Sequence, residues 1–121
     1  MSYNKIKTDP HLGQKVHEYL VSVGVETPVT KNGLSSKEKI DKIEDNFNQI
    51  LDTLGLDRRD DSLLDTPKRI AKMYVNEIFW GLDYEAFPKA TVVENKMKYN
   101  EMVIVKNISV QSNCEHHFVV I

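Results

Sequence analysis

Several features are scarce in this 121-residue sequence, and each scarcity excludes a class of protein. A single cysteine cannot form a disulfide within the chain, so we expect a reducing, cytoplasmic location. No apolar run exceeds a few residues, so we expect neither a membrane span nor a secretory leader. The formal net charge is only −2 and the basic residues form no stripe, so a nucleic-acid duplex is not an expected partner.

The residues that are present are typical of a folded domain, with 40% hydrophobic and 28% charged side chains. Three segments show apolar positions at helical spacing. Each is bounded by a capping residue or proline at its start and a glycine at its end. These pairs of signals are Asp9–Pro10 with Gly24, Ser35 or Ser36 with Gly55, and Thr66–Pro67 with Gly81, where Thr66 is expected to cap the helix.

After Pro88 the apolar pattern changes from the helical period to the alternation of β-strands. "ATVVENKM" and "EMVIVKNISVQSN" predict two strands of an antiparallel hairpin joined by a turn at "KYNE". Helices followed by strands define an α+β fold, with a helical region at residues 1–88 and a hairpin at 89–121. A lone hairpin is marginally stable, and "FVVI" reaches the last residue without a turn, so we expect a longer protein of which this is the front part.

The final ten residues, "SNCEHHFVVI", concentrate side chains that bind metals. Cys114 and His117 have a C-x-x-H spacing that lets a tight turn bring both to one ion, and this donor pair favours zinc. His116 is two residues from Cys114 and could face the same cavity without binding the ion, free to transfer protons.

Two donors do not complete a zinc site, since catalytic zinc usually has three protein ligands. His11 and His17, on or beside the first helix, are expected to be surface residues, so a third ligand would have to come from outside this sequence. The spacing alone also fits a second interpretation, in which a buried Cys114 lies next to surface histidines at a strand end.

Three motifs in this order resemble GTP cyclohydrolase I of the bacterial type: "DDSLLDTPKRIAKMYVNEIFWGLDY", "FPKATVVENKM" and "SNCEHHFVVI". The resemblance covers the N-terminal half of that family's chain. It implies zinc-dependent hydrolytic opening of the guanine ring of GTP, giving 7,8-dihydroneopterin triphosphate and formate for folate and pterin biosynthesis. It also implies a homodecamer of two pentamers built on the tunnelling fold (T-fold), of which the hairpin is the first part.

By matching position, the resemblance implies that Cys114 and His117 bind zinc and that His116 is the catalytic proton-transfer residue. Glu115 also matches the motif, and we expect it to form a structural ion pair with an arginine. Arg69 is a candidate for binding the triphosphate or Glu115, with an exposed helix-face arginine as the alternative.

The family's third zinc ligand, guanine anchor and most triphosphate-binding residues have no counterpart in this sequence. We therefore expect the 121-residue chain by itself to be inactive. The alternative is a truncated, non-catalytic relative that acts as a binding or assembly module.

Overall fold

The computed structural model describes residues 7–121, which divide into two units. The first unit ends at Lys89 and contains every helix of the described residues. The second unit, Ala90–Ile121, has no helix and no strand ladder among its residues. Within the described range, no helix is both long and apolar enough to cross a bilayer.

The first helix, α1 (Pro10–Val23), begins and ends at its predicted signals. The Asp9 carboxylate accepts a hydrogen bond of 3.0 Å from the Leu12 N–H, which satisfies one of the free donors of the first turn. Gly24 follows the helix with a φ of 70°, a left-handed conformation that glycine adopts without a Cβ clash. The predicted boundaries are confirmed.

The second helix, α2 (Ser36–Thr53), begins with a reciprocal cap. The Ser35 hydroxyl accepts from the Glu38 N–H at 3.3 Å, and the Glu38 carboxylate accepts from the Ser35 N–H at 2.8 Å. Gly55, just after the helix, has a φ of 74°. Ser35 is therefore the cap, and the predicted stop is confirmed.

The third helix, α3 (Thr66–Met73), differs from the prediction at both ends. Asp65 occupies the cap position and Thr66 is the first helical residue. The chain does not continue as an α-helix to Gly81, because a π-helical turn at Tyr74–Ile78 follows. Gly81 lies inside a 3₁₀ turn, Trp80–Leu82, so the predicted stop is wrong.

Aromatic packing accompanies the wider turn after α3. The Phe79 N–H donates to the Tyr74 carbonyl at 2.9 Å, a spacing of five residues that adds one residue to the turn. The Tyr74 ring meets Phe79 edge-on at 5.4 Å and Phe47 of α2 at 5.6 Å. Such ring pairs stabilise the packing of this turn against α2. The extra residue in the turn therefore depends on tertiary contacts, which the helical spacing of apolar residues does not reveal.

The core of the first unit lies where α2 packs on α3 and where α1 packs on a short 3₁₀ turn, Tyr84–Ala86. Leu51, Ala71 and Ala86 are its buried hydrophobic residues among those described. Gly13 of α1 approaches the 3₁₀ turn so closely that a Cβ there would lie 2.0 Å from the Tyr84 carbonyl oxygen. Only glycine fits this crossing.

The predicted antiparallel hairpin is not found, since residues 90–112 form no strand in this structure. A local turn forms instead, in which the Asn95 carboxamide accepts from the Tyr99 N–H at 2.8 Å and donates to the Tyr99 carbonyl at 2.6 Å. Lys98 and Asn107 have left-handed φ angles of 53° and 59°, which interrupt an extended chain. Two strands without a sheet to pack on gain too little to align, so only the helical part of the predicted α+β fold is seen.

Candidate metal centre

The last residues of the chain form a tight reversal that carries the predicted metal ligands. The Ile121 N–H donates to the Ser112 carbonyl at 2.9 Å, and the Cys114 N–H donates to the Val119 carbonyl at 2.8 Å. Inside these bonds the Phe118 N–H donates to the Cys114 carbonyl at 2.8 Å, with Phe118 at a left-handed φ of 55°. Residues 114–118 therefore form a closed turn, the kind of backbone from which C-x-x-H donors can converge.

Each of the two imidazoles of the turn lies close to the Cys114 thiol. Cys114 Sγ is 3.7 Å from His116 Nδ1 and 3.7 Å from His117 Nδ1. Tetrahedral zinc, with bonds of about 2.3 Å to sulfur and about 2.0 Å to nitrogen, separates two such ligands by about 3.6 Å. The thiol and imidazole spacing thus fits the donor set of a zinc ion.

The geometry does not show which of the two histidines is the metal ligand and which is the proton-transfer residue. Both imidazoles stand at the same distance from the thiol, and both side chains are exposed. The assignment of His117 to the metal and His116 to proton transfer stays a prediction. No group of three or more Cys, His, Asp or Glu side chains with metal-binding geometry occurs among the described residues.

Two neighbours of the donors complete the turn. Glu115 is exposed and has no ion pair with any described residue, so its predicted structural pairing would need a partner from elsewhere. The Asn113 side-chain oxygen is buried and lacks a hydrogen-bond donor in the described part of the chain. An unpaired buried oxygen is costly, which makes Asn113 a candidate for a further contact at this site that the metal-ligand spacing could not reveal.

Arg69 belongs to the first unit, on the exposed side of α3. Its Nη2 atom is 3.5 Å from Asp65 Oδ2, one turn earlier on the helix. Both side chains are largely exposed, at 69% and 64%, so this pair contributes little to stability. The guanidinium is open to a further anion, and its role in substrate binding stays a prediction.

The histidines near the start of the chain have different surroundings. His11 is exposed, as predicted. His17 is partly exposed, at 31% of its side chain, and it also has partners: its Nε2 atom is 2.8 Å from Glu26 Oε2, and its ring stacks on Tyr84 at 4.4 Å. The sequence pattern did not reveal these two contacts, because Glu26 and Tyr84 lie outside α1.

The sequence profile of the GTP cyclohydrolase I family matches residues 43–121 of the chain. This range covers α2 from Ile43 onward, all of α3 and the Cys–His turn. The chain therefore belongs to the GTP cyclohydrolase I family.

Bacterial relatives agree with this assignment. The GTP cyclohydrolase 1 of Aeromonas salmonicida is 58% identical over 106 residues, which are 88% of this chain and 49% of that protein. The enzyme of the same name from Yersinia enterocolitica is 56% identical over 106 residues, 88% of this chain and 48% of that protein. That from Shewanella loihica is 57% identical over 108 residues, 89% and 50% of the two chains. The chain thus spans about half the length of the curated relatives it matches.

Proposed function

We propose that the protein containing this chain is a GTP cyclohydrolase I, which hydrolyses GTP to 7,8-dihydroneopterin triphosphate and formate. The observation that carries the proposal is that the family match extends through the Cys–His turn, whose donors have the spacing that zinc requires. The identity of 56–58% to relatives named GTP cyclohydrolase 1 supports it. The expected setting is the cytoplasm, at the entry to folate and pterin biosynthesis.

Cys114 and His117 would hold the zinc ion, with a third protein ligand supplied from outside this chain. A bound zinc ion acts as a Lewis acid and lowers the pKa of water, which makes hydroxide available near neutral pH. The residues of this chain then have two tasks, to fix the metal and to move protons. The closed backbone turn serves the first task, because it limits the conformations that the Cys114 and His117 side chains can adopt.

His116 is the proposed proton-transfer residue. Opening the imidazole ring of guanine requires a proton to reach the ring nitrogen that leaves the carbon lost as formate. Imidazole is the side chain used most often for such transfers, and His116 is adjacent to a proposed metal ligand and exposed to solvent. Its neighbour Glu115 is proposed to hold the turn in place through an ion pair with a residue outside the described part of the chain.

Arg69 is proposed to contact the triphosphate. A guanidinium can bind phosphate oxygens through two parallel hydrogen bonds, and the exposed pairing with Asp65 is weak enough to be exchanged. Arginine also remains charged at every physiological pH.

The second unit is proposed to form the first hairpin of a T-fold once further strands are present. Its apolar side chains are highly exposed, with Val92 at 89%, Met97 at 93% and Met102 at 81%. Pairing with strands of the same protein and of neighbouring subunits would cover them, as in a homodecamer of two pentamers. The alternative, a non-catalytic binding or assembly module, rests on the same exposed residues and on the incomplete donor set of the described residues.

The test is to assay GTP turnover in the full-length protein and in the 121-residue chain. We expect the zinc-loaded full-length protein to release formate and 7,8-dihydroneopterin triphosphate, and the 121-residue chain to release neither. A full-length Cys114→Ser variant is the matched control for contaminating activity. A correctly folded, zinc-loaded full-length protein without turnover would favour the assembly module. Turnover by the short chain would show that the site is complete without further residues.

A further inference from the structure

The loop between α1 and α2 contains Asn32 followed by Gly33, the only Asn-Gly pair in the sequence. Both residues are exposed. Gly33 has a left-handed φ of 70°, and no atom beyond Gly33 and its two chain neighbours lies within 4 Å of the position that a Cβ would occupy. Because Gly33 has no side chain on its Cα, nothing shields the neighbouring backbone nitrogen on that side.

The hydrogen bonds around this pair favour attack on the side chain of Asn32. The Leu34 N–H donates to Asn32 Oδ1 at 3.1 Å, which folds the carboxamide back over the following backbone as an Asx turn. A donor at that oxygen stabilises the negative charge that develops there when a nucleophile adds to Cγ. The Gly33 N–H itself donates to no acceptor within the described residues, so it is available to react.

We infer that Asn32 is a site of spontaneous deamidation, with the Gly33 backbone nitrogen as the nucleophile and water as the co-reactant. The nitrogen forms a bond to Asn32 Cγ and the Cγ–Nδ2 bond breaks. The proton from the Gly33 nitrogen leaves with Nδ2 as ammonia, and a five-membered imide remains. Water then adds to either imide carbonyl and opens the ring, which yields an aspartyl or an isoaspartyl residue without any redox change.

The modification lies close to the start of α2, so its two products differ in effect. An aspartate keeps an oxygen that can accept from the Leu34 N–H, and its negative charge is favourable near a helix N-terminus. An isoaspartate adds a methylene to the main chain and moves the acceptor away from Leu34. The isoaspartyl product therefore disturbs the entry to the Ser35 cap, whereas the aspartyl product preserves it.

Asn95 offers a matched control within the same chain. Its carboxamide also lies in an exposed turn and its oxygen also accepts a backbone N–H, that of Tyr99. However, the next residue is Lys96, which carries a Cβ and whose N–H already donates to the Glu94 carbonyl at 2.9 Å. Asn95 thus shares the activated oxygen but lacks the free nucleophile.

The experiment is to incubate the folded protein in mildly alkaline buffer at physiological temperature and to follow peptides by mass spectrometry. Cleavage after glutamate yields residues 27–38, in which Asn32 is the only asparagine. We expect this peptide to gain the mass of an amide-to-acid conversion several-fold faster than Asn95 does. We also expect a doublet of aspartyl and isoaspartyl forms, with an Asn32→Asp protein as the chromatographic standard.

Two comparisons decide whether the local structure is responsible. A Gly33→Ala variant should slow the conversion at Asn32 several-fold, because its Cβ obstructs the nucleophile, while leaving Asn95 unchanged. The wild-type chain in urea should react more slowly at Asn32 than the folded chain does, because the Leu34 donor is lost. Equal rates at Asn32 and Asn95 would overturn the inference. A rate unaffected by Gly33→Ala would refute the claim that open access to the backbone nitrogen of residue 33 makes Asn32 reactive, and a faster reaction in urea would refute the role of the Asx turn.

Discussion

The first unit of this chain buries some of its apolar residues, although others such as Leu54 and Leu64 are exposed, whereas the described second unit buries none. In the first unit Leu51, Ala71 and Ala86 are at most 7% exposed, and aromatic rings meet across helices. In the second unit Val93 is 85% exposed and Val110 is 79% exposed, although the local sequence is at least as apolar. The difference follows from how each type of secondary structure satisfies its backbone.

A helix completes its hydrogen bonds within a few neighbouring residues, so a short segment can form it and offer a stripe for packing. A β-strand has no such local solution and needs another strand alongside. The first unit therefore folds on contacts that its own residues supply. The second unit holds its proposed metal-binding residues on a local turn, while its predicted strands find no partner within residues 90–121.

The largest expected effect tests whether the chemistry resides in the second unit. In the full-length protein, Cys114→Ser or His117→Ala should remove zinc and abolish GTP turnover, because each deletes a proposed ligand. His116→Ala should retain zinc while lowering turnover by about 10²–10⁴-fold, the usual contribution of proton transfer. Zinc-to-protein stoichiometry and formate release are the two measurements.

His11→Ala, which changes an exposed histidine of the first unit, is the control and should leave both quantities unchanged. A metal-free His116→Ala protein would identify His116 as a ligand, which the equal sulfur–nitrogen distances allow.

Removing the second unit should abolish self-association of the chain in solution. We expect the 121-residue chain to self-associate through the exposed apolar residues after Ala90, since unpaired strand edges template pairing with another chain. A chain ending at Lys89 should stay monomeric with the same helical signal per helical residue. Light scattering and far-ultraviolet circular dichroism at tens of micromolar measure this. A monomeric 121-residue chain would contradict the expectation.

Within the first unit, the tight crossing at Gly13 should dominate stability. Gly13→Ala places a Cβ 2.0 Å from the Tyr84 carbonyl oxygen, and relief requires a backbone shift. Overpacking of this kind costs about 1–3 kcal/mol of unfolding free energy.

Gly81→Ala is the matched control, since nothing lies within 4 Å of its new Cβ, and should change stability by less than about 0.5 kcal/mol. Urea unfolding followed by circular dichroism compares them, and equal effects would show that the crossing is not tight in solution.

The smallest effect concerns the start of α2. Ser35→Ala removes the hydroxyl that caps the Glu38 N–H, at an expected cost of about 1 kcal/mol. Ser36→Ala, one residue into the helix, is the control and should be nearly neutral. Thermal unfolding of the two variants measures the difference.

The same cap has a pH dependence. Hydrogen bonds from the Ser35 side chain and backbone hold the pKa of the Glu38 carboxyl below its ordinary value. A carboxyl with a lowered folded-state pKa stabilises the protein above its unfolded pKa and loses this contribution as pH falls through the folded value. Glu38→Gln should therefore be less stable than wild type at neutral pH, and the gap should close in acid. A gap that stays constant would exclude the capping carboxylate as its cause.

Several structural features of this molecule could be predicted from residues that are close in sequence. The Asp9–Pro10 start, the Ser35 cap and the glycines after α1 and α2 each act within one helical turn, so their chemistry is visible in sequence. The C-x-x-H spacing similarly led us to expect a tight turn, and residues 114–118 form one, while metal binding by its donors stays a prediction. The division of roles between the histidines could not be predicted from local residues, because it depends on a third ligand and on substrate.

Other features were decided by contacts between segments distant in sequence. The π-helical turn after α3 follows from ring packing with Phe47, and the contact of His17 with Glu26 depends on a residue beyond the end of α1. Residues 90–112 were predicted as strands because apolar and polar residues alternate there. This alternation shows which side chains would share one face of a strand, but it does not show whether a neighbouring strand is available to pair with it. Sequence by itself therefore determined the caps, the helix boundaries that glycine sets and the donor turn, because short-range hydrogen bonds and dihedral limits act there. Tertiary structure alone decided the end of α3, the close crossing at Gly13 and the absence of a ladder in the described second unit, because those depend on which surfaces meet.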